Sequence, residues 1–235
     1  MKRYYLTLAL FFGLSAVALG QSNYYKVGIG GGLGGTYSFT DVYRGSFGYA
    51  GYGGVDYYFT PFITAGLEVQ KGIVKSQDYT KDPHLRSFTN SYMAVGANFK
   101  FRAGEITDYY YNDFLNYTKG FYLGTGLGYI QNNMTSIIRV KPDGSNYIFP
   151  GEDKGSSIYL PINVGIDFYL PDGWGNARYI LNLNFQSNFV FADNLDGYND
   201  PKTRFKNQFP DMYNFFSVGF KFNLGPMGLS SKTFR

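Results

Sequence analysis

From Gly45 to Lys71 the residues sort into two alternating sets, and this constrains the chain more than any other feature. Phe47, Tyr49, Val55, Tyr57 and Phe59 fall in one set, with Gly51 and Gly53. Ser46, Gly48, Ala50, Tyr52, Gly54, Asp56 and Tyr58 fall in the other. Beyond Thr60-Pro61-Phe62 the alternation resumes, with Ile63, Ala65, Leu67 and Val69 opposed by Thr64, Gly66, Glu68 and Gln70. Strand side chains point to opposite faces in turn, so this period means two strands, each with one apolar face. A three-residue connection pairs Phe59 with Ile63 and keeps both apolar sets together. A two-residue turn would place Glu68 among them. The pattern therefore predicts three residues, with Pro61 in the turn, where its missing N–H does no harm.

The second face carries Gly, Ala, Tyr and isolated charges rather than the Lys, Glu and Thr of a water-facing strand. Such a face suits the crowded interior of a narrow barrel, with the apolar set turned outward to lipid. Composition agrees. The 235 residues include 31 Gly, 24 Tyr and 23 Phe, and only 16% are charged, against about 25% in soluble domains. A soluble barrel would reverse the faces. At about five bulky residues per strand, roughly forty large side chains would overfill an interior that eight strands leave just wide enough for side chains.

Lys2-Arg3, the apolar run from Tyr4 and the small residues of Ala18-Leu19-Gly20 read as a secretory signal peptide, residues 1–20, cleaved before Gln21. The absence of Cys excludes a disulfide framework, thiol chemistry and lipoprotein anchoring. The formal charge is +4, and without Lys2 and Arg3 it falls to +2, too weak to suggest nucleic acid.

The alternation continues along the chain. Strands are expected over Tyr24 to Phe39, the hairpin 45–71, Thr89 to Phe101, Gly120 to Asn133, Ser157 to Leu170, Ala177 to Phe191 and Tyr213 to Leu224. The expected fold is all-β: an eight-stranded antiparallel transmembrane up-and-down β-barrel over residues 21–225, with a tail at 226–235. The links after strands one, three, five and seven are mostly long. Those at Thr60–Phe62 and Pro171–Asn176 are short, as expected for outer loops and periplasmic turns. The stretch from Arg102 to Lys119, with Tyr109, Tyr110, Tyr111, Phe114 and Tyr117, breaks this rule. It either extends the strands or forms a short segment at the membrane interface.

The signal peptide, the YYFTPFITAGLE hairpin and the closing Phe-Val-Gly-Phe-Lys-Phe pattern of strand eight resemble small outer-membrane β-barrel families. The likeness is to those common in Bacteroidota, some described as PorT-like, and more distantly to OmpA- and OmpX-type barrels. It implies the outer membrane of a Gram-negative bacterium, a lipid environment and barrel-assembly machinery as a partner during biogenesis. It implies no functional residue. The terminal aromatic expected as an assembly signal is displaced to Phe222 or Phe234.

Inward charges are expected near the periplasmic mouth: Lys26, Lys100, Arg178 and Lys221 against Asp56, Glu68 and Asp167. Buried charges must be paired or wet, so these seven are expected to form an ionic network that closes the lumen. The expected function is structural or a surface interaction with an extracellular or periplasmic protein. A narrow solute pore is the alternative, and a lipid-modifying enzyme a lesser one. No cofactor is expected. The Gly30–Gly35 run lacks the Lys-Ser/Thr and helix of a phosphate loop. His84, the single histidine, stands near Asp82 and Ser87 but in a polar loop, and reads as solvated. Asp193, Asp196, Asn199 and Asp200 do not match a calcium-loop spacing, so no metal is expected.

Overall fold

Strands whose apolar side faces away from their own interior can be satisfied in lipid only if every backbone group is paired, which requires closure. The computed structural model describes residues 24–110, 112–192, 194–199 and 211–232; the expected signal peptide lies outside them. Eight strands follow one another: β1 (Tyr24–Phe39), β2 (Gly45–Tyr58), β3 (Ile63–Ser76), β4 (Phe88–Arg102), β5 (Phe121–Ile137), β6 (Lys154–Pro171), β7 (Ala177–Val190) and β8 (Met212–Gly228). Each pairs antiparallel with the next, and β8 pairs with β1, closing the barrel.

The opening hairpin has the expected register. Tyr58 faces Thr64, and the Phe59 amide donates to the Ile63 carbonyl at 3.0 Å. The Thr60 hydroxyl accepts from the amides of Phe62 and Ile63 and holds the turn. The exposed set is the apolar one: Phe47 is 77% exposed and Leu67 64%, while Tyr58 is fully buried. Pro161 leaves its mark on the ladder. The β5–β6 pairing omits Gly126 and Leu127 but resumes in the same register at Gly128↔Tyr159, as a residue without an N–H requires.

The shortest strands have 14 residues. At about 3.3 Å per residue and a tilt near 40° they span about 35 Å, more than the apolar band of about 25 Å. The surplus projects beyond the membrane. The long loops lie at one end; the short turns and both ends of the strand series lie at the other, the periplasmic end.

The 102–119 connection is helical rather than an extension of the strands. After a 3-10 turn at Ala103–Glu105 comes α1 (Asp113–Thr118), whose N-cap Asn112 accepts from the Leu115 amide. Phe114 and Tyr117 project outward, whereas Tyr109 turns into the barrel mouth against the Phe62 ring, 5.6 Å away. The Lys232 ammonium donates to the carbonyls of Gly104, Glu105 and Thr107 at 2.6–3.0 Å and fixes this connection to the chain beyond β8. β8 itself continues past the expected Leu224 to Gly228.

A filled lumen as the candidate functional site

The interior is layered. At the periplasmic mouth Tyr24, Tyr58, Phe62, Tyr109 and Ile180 form an apolar floor. Above it lie the charges. Lys221 pairs with Asp56. Arg102 pairs with Asp167 at 2.7 Å, both side chains fully buried, and its Nη1 donates to the Thr64 hydroxyl. The guanidinium also lies over the rings of Tyr58 and Tyr122, 5.5 and 5.7 Å from their centres. Lys100 lies over Tyr122 at 5.4 Å. Glu68, Lys100, Asp56 and Lys221 border a gap of about 10 Å³, at the lower limit of space for one water.

Of the seven expected charges, the structure brings five together: Asp56, Glu68, Lys100, Asp167 and Lys221. The sixth member is Arg102, the last residue of β4, which the alternation alone assigns to the following connection. It makes the charges three acids and three bases. Lys26 and Arg178 lie apart from the cluster, and this corrects the expectation for both. In β1 the pairing passes from Tyr25↔Met227 to Val27↔Leu224 and skips Lys26. In β7 it passes from Leu170↔Tyr179 to Pro171↔Ala177 and skips Arg178. Arg178 is the extra residue of its bulge, where the inward–outward count fails, whereas at Lys26 the extra residue is on β8, which sets Gly225 and Pro226 against the single Lys26. Ala177 turns inward in place of Arg178. Arg178 lies over Tyr25 and Phe222 at 4.9 and 5.4 Å, and the Tyr25 hydroxyl donates to Asp172. Lys26 is half-buried, with no ion pair among the described residues.

Side-chain amides and phenols carry the network outward. Asn182 donates to Asp167 at 2.7 Å and to the Tyr122 hydroxyl at 2.9 Å. Tyr122 donates to Asn184, which donates to Asn163. Tyr92 and Tyr213 both donate to Gln70 Oε1, at 2.7 and 3.0 Å, and their rings lie 4.9 Å apart. Inward glycines make room for these rings. A Cβ on Gly128 would stand 2.3 Å from the Tyr159 ring, and one on Gly219 would stand 2.0 Å from the Tyr52 hydroxyl. The abundance of Gly and Tyr is thus one feature: rings laid across the lumen against residues without side chains.

The outer mouth is closed by loops. Leu195 and Tyr198, from the β7–β8 loop, pack with Val42, Phe88, Phe149 and Val190. Asn90 donates to the Leu195 carbonyl, and Asp211 accepts from the Leu195 amide. The Tyr198 hydroxyl donates to the carbonyls of Ser87 and Ile138, and Arg86 and Arg139 both lie within 6 Å of its ring. Burial pushes this phenol above its ordinary pKa, so it remains a neutral donor at physiological pH. The Asp82 carboxylate is engaged by the amides of Tyr43, His84 and Arg86 and by the Arg86 guanidinium. Of the four loop oxygens considered for calcium, Asp193 and Asp200 lie outside the described residues, and Asp196 is buried and accepts from the Tyr198 amide.

The closed antiparallel barrel and its apolar outer face define the class: a small transmembrane β-barrel of the outer-membrane type. Comparison with solved structures gives the same fold. Neisserial surface protein A superimposes with a TM-score of 0.50 at 12% identity, over 84% of this chain and 97% of that one. Ail, the attachment invasion locus protein of Yersinia pestis, gives 0.45 at 12% identity over 86% and 99%, in a structure with the heparin analogue sucrose octasulfate. OprG from Pseudomonas aeruginosa gives 0.42 at 12% identity over 86% and 98%. No family model and no curated protein matches the sequence.

Proposed function

We propose that the chain is a non-conducting outer-membrane barrel of a Gram-negative bacterium, with a structural or surface-interaction role carried by its loops and rims. The observation behind this reading is the filling of the lumen at successive levels: an apolar floor, a balanced ionic layer, amide and tyrosine layers, and a loop cap. A solute pathway needs a continuous wet route, and the largest side chains of the interior lie across it. The packed cap offers a formed surface to an extracellular partner, and lipid surrounds the wall.

Planar bilayer recording of the refolded chain tests this. Wild type is expected to show no stable steps. Asp56→Ala combined with Lys221→Ala is expected to give flickering openings or a destabilised barrel. Large, steady wild-type channels would overturn the proposal in favour of a narrow pore.

A further inference from the structure

The outer half of the barrel wall differs around its circumference. On β1 and β2 the outward residues stay apolar to the strand ends, with Tyr37, Phe39 and Phe47, and on β7 and β8 a single neutral pair, Ser187 and Asn214, precedes Phe189 and Met212. On β3 to β6 they turn polar. Lys71 follows Val69 on the outward face of β3 and stands opposite Met93 on β4, which stands opposite Gln131 on β5. On β6, Ser156 is paired with Gln131, and Lys154 with Asn133. These outward side chains line one open cleft of about 790 Å³. Two ammonium groups, Lys71 and Lys154, line it against a single acid, Glu152. Neither lysine has an ion pair among the described residues.

Directly toward the bilayer centre on β3, β4 and β5 lies a second groove, of about 860 Å³, lined by Leu67, Ala97, Leu127 and the small residues Ala65, Gly66 and Gly126. A cationic cleft above an apolar groove on the same strands matches an amphiphile lying along the wall. An unpaired cation on a lipid-facing strand is unfavourable and the cost grows with depth, so an anion at Lys71 would stabilise the folded barrel.

We propose that this face binds one outer-leaflet lipid with a phosphate-bearing headgroup. Lys71 and Lys154 pair with the phosphoryl oxygens, Gln131, Asn133 and Ser156 hydrogen-bond the rest of the headgroup, and an acyl chain lies in the groove over Ala97. The inference rests on the membrane reading above.

The full chain is folded into phosphatidylcholine nanodiscs doped with diphosphoryl lipid A, and the lipid retained is counted by native mass spectrometry. Wild type is expected to keep one lipid A. The K71Q/K154Q variant should weaken retention about tenfold or more. Ala97→Phe, which fills the groove, should weaken it with the charges intact, and Lys141→Gln, in a loop, should not. Equal retention by K71Q/K154Q, equal retention of dephosphorylated lipid A, or full displacement by inorganic phosphate would each overturn the proposal. The folded band on an unheated gel is recorded for every sample. Its absence in wild type would strike the membrane reading itself, which keeps the two failures distinct.

Discussion

The Arg102–Asp167 pair gives the sharpest test of a dry, balanced lumen. Asp167→Asn preserves shape and keeps an oxygen for the Asn182 amide, but leaves Arg102 with a neutral partner at a site with no solvent exposure. Breaking a buried pair on one side typically costs about 3–5 kcal/mol, so Asp167→Asn and Arg102→Met should each lower stability by about that much. The double variant Arg102→Met with Asp167→Leu removes both charges. What remains is the loss of partners by Thr64 and Asn182. Asn182 still donates to Tyr122, so the total should be about 2–4 kcal/mol. The singles summed, about 6–10 kcal/mol, therefore exceed the double, with a coupling of about 4–6 kcal/mol. Guanidinium titration in lipid vesicles measures this. The folded fraction is read from unheated gels and from Trp174, the only tryptophan, which is 83% exposed in the β6–β7 turn. A cost below about 1 kcal/mol for Asp167→Asn, or strictly additive singles, would mean that each charge is separately hydrated, and the ionic plug would fail as an explanation.

Two further substitutions probe the wall from either side. Val218 faces lipid, paired with Leu33 and Leu183; Val218→Arg should cost about 2–4 kcal/mol in vesicle unfolding, and a neutral result would mean that the faces are reversed. Gly128→Ala puts a methyl group against the buried Tyr159 ring and should cost about 1–3 kcal/mol by overpacking. Restoration by Tyr159→Phe alone is not expected, because the clash is with ring carbons, whereas Gly128→Ala combined with Tyr159→Leu should recover stability; an Ala variant as stable as wild type would show a looser lumen.

The sequence shows the wall more clearly than the lumen's ends, for a physical reason. A strand reports its faces through a period of two, and the signal survives as long as the ladder is regular. Phe59 pairing with Ile63, the outward run of Leu181, Leu183 and Phe185, and the inward Asp56, Glu68, Lys100, Asp167 and Lys221 all follow from counting by twos. The count fails where a residue is inserted. Arg178 occupies an even-numbered position that matches the inward set, yet it is the residue its ladder skips, and Lys26 stands where β8 carries the extra residue; a bulge has no signal in alternation alone. Gly225 and Pro226 opposite Lys26 were the available hint, since the φ of +86° at Gly225 suits a glycine. Arg102 differs: it keeps the parity of Asn98 and Lys100, but the alternation of apolar residues ends at Phe101, one residue before the strand does. The loop cap has no period at all. Leu195 and Tyr198 belong to it because loops distant in sequence meet over the mouth, and only the closed topology brings Ser87, Ile138 and Tyr198 together. The β7 bulge lies at the periplasmic rim, outside the ionic layer, and keeps the Arg178 charge out of it. Had Arg178 turned inward as well, the layer would hold four bases against three acids, and the excess would need water or an anion to be tolerated. The irregular start of β7 is therefore part of how the interior stays neutral.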